Sequence, residues 1–189
     1  MTPPGAERVS EAQDGLPPWA IVSPRRREHV ARVAALIHGW TVAMRMPADE
    51  TARWERAAWL HDALRDAPEE EMRRWAPQVD GPVELRHGPA AAARAELEGE
   101  DDADVLSAVR WHSVGWNGWG PTGRALYCAD FLEPGRTFDR DERAALARRF
   151  PDEPAEVLRE VVRRPLAYAD AQGWSHPPES VAFRSQVLG

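Results

Sequence analysis

Lysine is absent from this 189-residue chain, and all 24 basic residues are arginine. Any cationic contact is therefore made by a guanidinium, which keeps the charge of a lysine but has a different reach and geometry. Cysteine is nearly absent too. A single Cys128 excludes a disulfide framework and fits a reducing cytoplasm. It lies two residues before Asp130 in a helical stretch and reads as a small buried residue, since a reactive thiolate needs an electropositive, partly exposed setting. No apolar run approaches the roughly 18 residues of a membrane span, and the first 20 residues lack the apolar stretch of a signal peptide, so a cytoplasmic location without a membrane partner is expected. A net charge of −7 excludes a general nucleic-acid binder, which needs a basic footprint for phosphates. No alternating strand pattern of useful length and no internal repeat is present, which leaves an all-α fold.

What is there suits one helical domain. With 43% hydrophobic and 29% charged residues, the composition is that of a globular protein with a single sizeable core. Residues 1–20 are rich in Pro, Gly and small polar residues and read as a flexible tail, and 21–189 as one compact domain. Ser23-Pro24 is a helix start, with Ser as N-cap and Pro at the first position. A first helix is expected to about Arg45, and a second from Ala48 to His61. A short third opens at Asp66-Ala67-Pro68, and others run from Pro89 to Glu98 and from Asp101 to His112. A Gly/Trp loop follows from Gly115 to Gly120, then a helix carrying Tyr127 and Asp130 that stops at Pro134-Gly135. Asp80-Gly81-Pro82 reads as a turn. Two more helical stretches fall between Asp139 and Ala171, the latter interrupted at Pro165.

Six residues of metal-ligand type are strung through these elements: His29, the pair His61-Asp62, His87, His112 and Asp130. Several continue apolar helix faces. His112 follows Val105, Ala108 and Val109; His61 follows Trp54, Ala57 and Ala58; His29 opens the row Val33, Leu36, Trp40; Asp130 extends Leu126 and Ala129. A polar group left unpaired on a buried face costs roughly 2–7 kcal/mol, and a charge more. One such histidine could be a hydrogen-bonded core residue. Four histidines and two aspartates at the inner ends of separate helices are satisfied together by a shared metal centre.

Imidazole and carboxylate without thiolate argue against a structural zinc site and suit iron, manganese or a similar divalent ion. Six protein ligands are too many for one catalytic ion. Two ions bridged by Asp62 use them, one with His29, His61 and Asp130, the other with His87 and His112. A pair roughly 3.5–4 Å apart can activate water and hold a phosphoryl oxygen, which is phosphate-ester or anhydride chemistry.

The ordered series H…HD…H…H…D resembles that of the HD-domain metal phosphohydrolases. The words around it are similar to the bacterial YqeK group of symmetrical diadenosine tetraphosphate hydrolases. The matching stretches include Arg26-Arg27-Glu28-His29, Ala57-Ala58-Trp59-Leu60-His61-Asp62, His87-Gly88-Pro89 and Val109 to Gly115. The most specific is Leu126 to Arg136, with His176-Pro177 downstream; together they cover about residues 23–184. The resemblance implies an all-helical HD domain over 21–189, a di-iron centre on His29, His61, Asp62, His87, His112 and Asp130, and hydrolysis of diadenosine tetraphosphate to two ADP. His61 and Asp62 would be the catalytic pair. The chain departs from the family's pattern at Ala63-Leu64-Arg65, at Trp116 and at Phe183-Arg184.

A polyphosphate needs cations, and Arg26, Arg65 and Arg136 are tied to ligand positions by short chain distances. Trp116 and Trp119 sit in the loop after His112, where an aromatic could stack on a purine. The candidate substrate-binding residues are therefore Arg26, Arg65, Arg136 and Trp116. His38 reads as structural or as a support to the ligands, and His176 as a contact to substrate or an anchor of the C-terminal segment. Two alternatives stay open: another nucleotide substrate, such as a nucleoside phosphate, a cyclic dinucleotide or an alarmone, or a non-catalytic nucleotide-sensing module.

Overall fold

Ser23 starts the first helix as its composition suggests: its hydroxyl accepts the Arg26 N–H, and Pro24 fills the first turn, where a missing N–H costs nothing. The computed structural model describes residues 15–79, 82–171 and 177–189, with backbone only for 165–171. Among these residues every regular element is helical. They are α1 (Pro24–Ala43), α2 (Ala48–Leu60), α3 (Glu69–Trp75), α4 (His87–Leu97), α5 (Ala103–Trp111), α6 (Pro121–Leu132), α7 (Arg140–Arg149), α8 (Pro154–Ala171) and α9 (Pro178–Leu188), with a 3-10 turn at Val83–Leu85. None is long and apolar enough to cross a membrane.

α6 is the central post. It touches α1, α2, α5, α7 and α8, and its residues Ala125, Leu126, Cys128 and Ala129 are fully buried. α1 contributes Val33, Ile37 and Trp40 to the same core. Trp40 stacks on Phe150 with ring centroids 3.9 Å apart, and its indole N–H donates to the Ala147 carbonyl, which ties α1 to the end of α7. Burying a side chain the size of Ile37 contributes about 1.5–3 kcal/mol, so a few such contacts hold these helices in register.

Three expectations change. α4 begins at His87, not at Pro89, because the preceding 3-10 turn already supplies helical backbone and Pro89 sits harmlessly in the first turn. α8 runs through Pro165 without a break; a proline inside a helix costs about 3 kcal/mol, and the burial of Val157, Leu158, Val161 and Val162 upstream of it offsets that. α9 was not anticipated, and it docks Phe183 and Ser180 onto the loop after His112. Of the segment read as a tail, residues 15–20 are described, and Trp19 and Ala20 lie against the core. The Asp80-Gly81 part of the expected turn and His176 lie outside the described residues.

Candidate metal centre

The six side chains come from the ends of five helices. His29 lies in the first turns of α1, His61 caps the C-terminus of α2 with Asp62 next to it, and His87 opens α4. His112 caps α5, and Asp130 is near the end of α6. Two local devices bring them together. Gly88 lets α4 approach α5 closely: a Cβ there would lie 2.9 Å from the Val109 carbonyl and 3.1 Å from His112 Nδ1. Gly115 takes a φ of 86°, which turns the chain sharply after His112 under Phe183.

The side chains form two trios, His29/His61/Asp130 and Asp62/His87/His112, within each of which the ligand-type atoms lie within 4.8 Å of one another. Asp62 stands between them. Its Oδ2 lies 3.5 Å from His61 Nε2 and 3.6 Å from His29 Nε2, while Oδ1 lies 3.1 Å from His87 Nε2 and 3.5 Å from His112 Nε2. Asp130 Oδ1 is 3.1 Å from His29 Nε2. One carboxylate thus presents one oxygen to each half.

Hydrogen bonding sets the tautomers. The Nδ1 atoms of His61, His87 and His112 lie 2.7, 2.6 and 2.8 Å from the carbonyls of Ala58, Glu84 and Val109. A carbonyl only accepts, so each Nδ1 carries a proton and each Nε2 turns a lone pair inward. His87 Nε2 and His112 Nε2 are then 3.0 Å apart with lone pairs facing, an arrangement that a cation relieves. The Nε2 atom of His61 is buried with no hydrogen-bond partner. An unmade bond of this kind costs about 1–3 kcal/mol, so the arrangement fits a bound cation.

The electrostatics agree. Burial alone would lower His29, but the Asp130 and Glu133 carboxylates raise it to about 9, and the field that favours a proton there also favours a cation. Burial pushes His61 down to about 4 and lowers His87, so both imidazoles stay neutral at pH 7. Burial works against the Asp62 charge, yet His61, His112 and His87 hold its carboxyl well below the usual range.

Sequence reasoning missed Glu133. This buried carboxylate takes His29 Nδ1 at 3.1 Å, Arg32 Nε at 2.6 Å and the Gly135 N–H at 2.6 Å, and so orients the imidazole from behind. The signal was present: Glu133 lies three residues after Asp130, one turn on along the same face, just before Pro134. Burial would push it up, but His29 and Arg32 bring it down to about 2.

Beside His29 and Glu133 opens a pocket of about 540 Å³ lined also by Arg25, Arg26, Arg32, Arg136 and Phe138. Arg26 pairs with Asp62 Oδ2 at 2.7 Å and Arg136 with Asp130 Oδ1 at 2.6 Å, so both are held at the rim of the two trios. The other two candidates do not line this pocket. Arg65 reaches the Glu84 carbonyl at 3.3 Å, the same carbonyl that takes His87 Nδ1, and so stands beside His87. Trp116 stacks on Trp111 at 5.3 Å between centroids, because the Gly115 turn folds the loop back on α5; Trp119 is buried with its N–H on the Ser107 carbonyl. His38 pairs with Glu55 on the surface and has no part in the centre. Cys128 is fully buried, and burial pushes its thiol up, away from nucleophilic use.

An all-helical core with His and Asp residues gathered at the helix ends defines a class, and the family comparison agrees: the HD domain model matches residues 26–160, and the chain belongs to that family. Among curated proteins, it is 33% identical over 129 residues to the symmetrical bis(5'-nucleosyl)-tetraphosphatase of Bacillus subtilis, a match spanning 63% of this chain and 69% of that one. The protein of the same name from Staphylococcus aureus is 42% identical over 55 residues, 29% of this chain and 28% of the relative. Among solved structures, a predicted HD superfamily hydrolase involved in NAD metabolism from Clostridium acetobutylicum superposes with a TM-score of 0.75 at 19% identity, covering 88% of this chain and 90% of that one. That likeness shows the fold.

Proposed function

We propose that this chain hydrolyses phosphoanhydride bonds of nucleotides, with diadenosine tetraphosphate cleaved symmetrically to two ADP. The observation that carries the reading is the pair of trios with Asp62 facing both, beside a pocket lined by Arg25, Arg26, Arg32 and Arg136. A polyphosphate carries several negative charges, and a pocket rimmed by guanidiniums recognises such a chain with charge-assisted hydrogen bonds. The names of the Bacillus and Staphylococcus relatives support the substrate.

In this reading His29, His61 and Asp130 would hold one divalent ion and His87 and His112 the other, with Asp62 facing both. The ions, iron by resemblance or manganese, would lower the pKa of an attacking water and offset charge on the phosphoryl oxygens. The residues of the chain supply the rest. Glu133 fixes the His29 ring, and the three carbonyl acceptors fix the other imidazoles with Nε2 inward, so no reorganisation is needed at the moment of reaction. Arg26 and Arg136, each anchored on an aspartate of the centre, place positive charge where a bridging phosphate enters. ADP is a good leaving group, so no separate general acid is required. The enzyme acts in the cytoplasm, in keeping with its single reduced Cys128.

The test is to load the protein anaerobically with Fe²⁺ or Mn²⁺, incubate it with diadenosine tetraphosphate and separate the products, with Asp62→Ala as control. ADP as sole product and a dead control are expected. Metal bound without ADP formation would overturn the substrate, and a panel of nucleoside phosphates, cyclic dinucleotides and alarmones would then identify another or leave a nucleotide sensor.

A further inference from the structure

Phe138 differs from the other exposed apolar side chains in its position. It is 50% exposed and lines the arginine pocket, in the loop between α6 and α7. Behind it sits an unusual cation. Arg143, on α7, is only 2% exposed, and neither of its terminal nitrogens has a hydrogen-bond partner. Its guanidinium carbon instead lies 4.4 Å from the centroid of Phe138 and 4.5 Å from that of Phe131. Phe131 and Phe138 also meet edge to face at 6.2 Å. Burial lowers Arg143 to about 10, so it remains a cation at neutral pH.

The two ring faces are what the guanidinium touches, and the Glu133, Asp130 and Asp139 carboxylates act on its charge from further off. The arrangement holds Phe138 still at the pocket mouth, and a cation on one face draws π density backward, which makes the open side a better partner for an electron-rich ring. The residue after Phe138 adds to this picture: Asp139 takes a left-handed φ of 47°, which aspartate adopts more readily than most non-glycine residues, and so turns the chain into α7. Loop, cation and second ring all position one aromatic side chain at the edge of a site built for phosphates.

We infer that Phe138, backed by Arg143, is the platform on which a base of the bound nucleotide stacks while its phosphates lie toward Arg25, Arg26, Arg32 and Arg136. The inference rests on the nucleotide reading above and specifies where the base goes. It places the aromatic contact at Phe138 instead of Trp116, whose ring is already stacked on Trp111.

The experiment is calorimetric titration of the Mn²⁺-loaded full chain with ADP and, separately, with inorganic tripolyphosphate, which has the phosphates but no base. Phe138→Ala and Phe138→Leu should weaken ADP binding by about 5- to 150-fold, the range expected for losing one stacked base, and leave tripolyphosphate within about twofold. Phe138→Trp should restore ADP binding. Equal weakening of both ligands by Phe138→Ala would show a loop effect and overturn the platform, as would unchanged ADP binding or full recovery with leucine. Wild-type protein that binds ADP no better than tripolyphosphate would overturn it as well. Failure of the substrate reading looks different: base-dependent, Phe138-dependent ADP binding would persist while diadenosine tetraphosphate goes uncleaved.

Discussion

Replacing Gly88 with alanine should damage the centre while leaving all six candidate ligands in the sequence. The new methyl would start 2.9 Å from the Val109 carbonyl, 3.0 Å from that of Arg110 and 3.1 Å from His112 Nδ1, whereas ordinary contact begins near 3.4 Å. Two of these neighbours are backbone and cannot swing away, so the start of α4 must move off α5. His87 is the adjacent residue, with its Nε2 3.0 Å from His112 Nε2 and 3.1 Å from Asp62 Oδ1. Metal sites tolerate ligand displacements of only about 0.2 Å. The overpacking costs about 1–3 kcal/mol, less at most about 1 kcal/mol from the better helix propensity of alanine. The same change at Gly39, in the middle of α1 with nothing within 4 Å of the added carbon, should instead stabilise by about 0.5–1 kcal/mol. Urea unfolding of the two variants should therefore move in opposite directions. Mn²⁺ titration should show at least a roughly tenfold loss of affinity for Gly88→Ala alone. Equal stability of the two variants, with wild-type metal content in both, would refute the close-approach argument.

Glu133→Gln should lower metal affinity about 10- to 100-fold, because a neutral amide aligns and polarises His29 less well than a carboxylate, and metal titration followed by calorimetry reads this directly. Asp102 caps α5 by accepting the Asp104 and Val105 amides, and it also takes Arg53 Nε at 2.6 Å. Although burial pushes its carboxyl up, Arg53 and the cap amides hold it below the usual carboxylate value. Its contribution is thus complete above the unfolded pKa near about 3.9 and lost as the pH falls through the lower folded value. Asp102→Ala should cost about 1 kcal/mol at pH 7, while Asp102→Asn keeps the cap, loses the ion pair and should unfold with less acid sensitivity, as urea titrations at pH 7 and below 4 would show.

The helices and the six candidate ligands were legible because both are local patterns. Ser23-Pro24 announces α1 through chemistry confined to one turn, and a histidine or aspartate continuing an apolar row, as His112 continues Val105, Ala108 and Val109, stands out against the burial of its neighbours. Pro165 misled for the same reason: a local breaker was read without the packing of Val157 to Val162 that precedes it. Arg65 and Trp116 lie near ligands along the chain but not around the pocket, since chain distance constrains position only within about a turn of helix.

By itself, then, the sequence determined the all-α class and the identity of the residues that gather at the centre, through residue type and helical phase, while its ordered motifs carried the family resemblance. Only the tertiary structure decided that Asp62 divides its two oxygens between the trios and that Glu133 backs His29. It also decided that the pocket wall is built from Arg25, Arg32 and Phe138 as well as Arg26 and Arg136. These are facts about which helix ends meet. Packing of whole faces settles them, through contacts such as Gly88 on Val109 that no short stretch of sequence encodes.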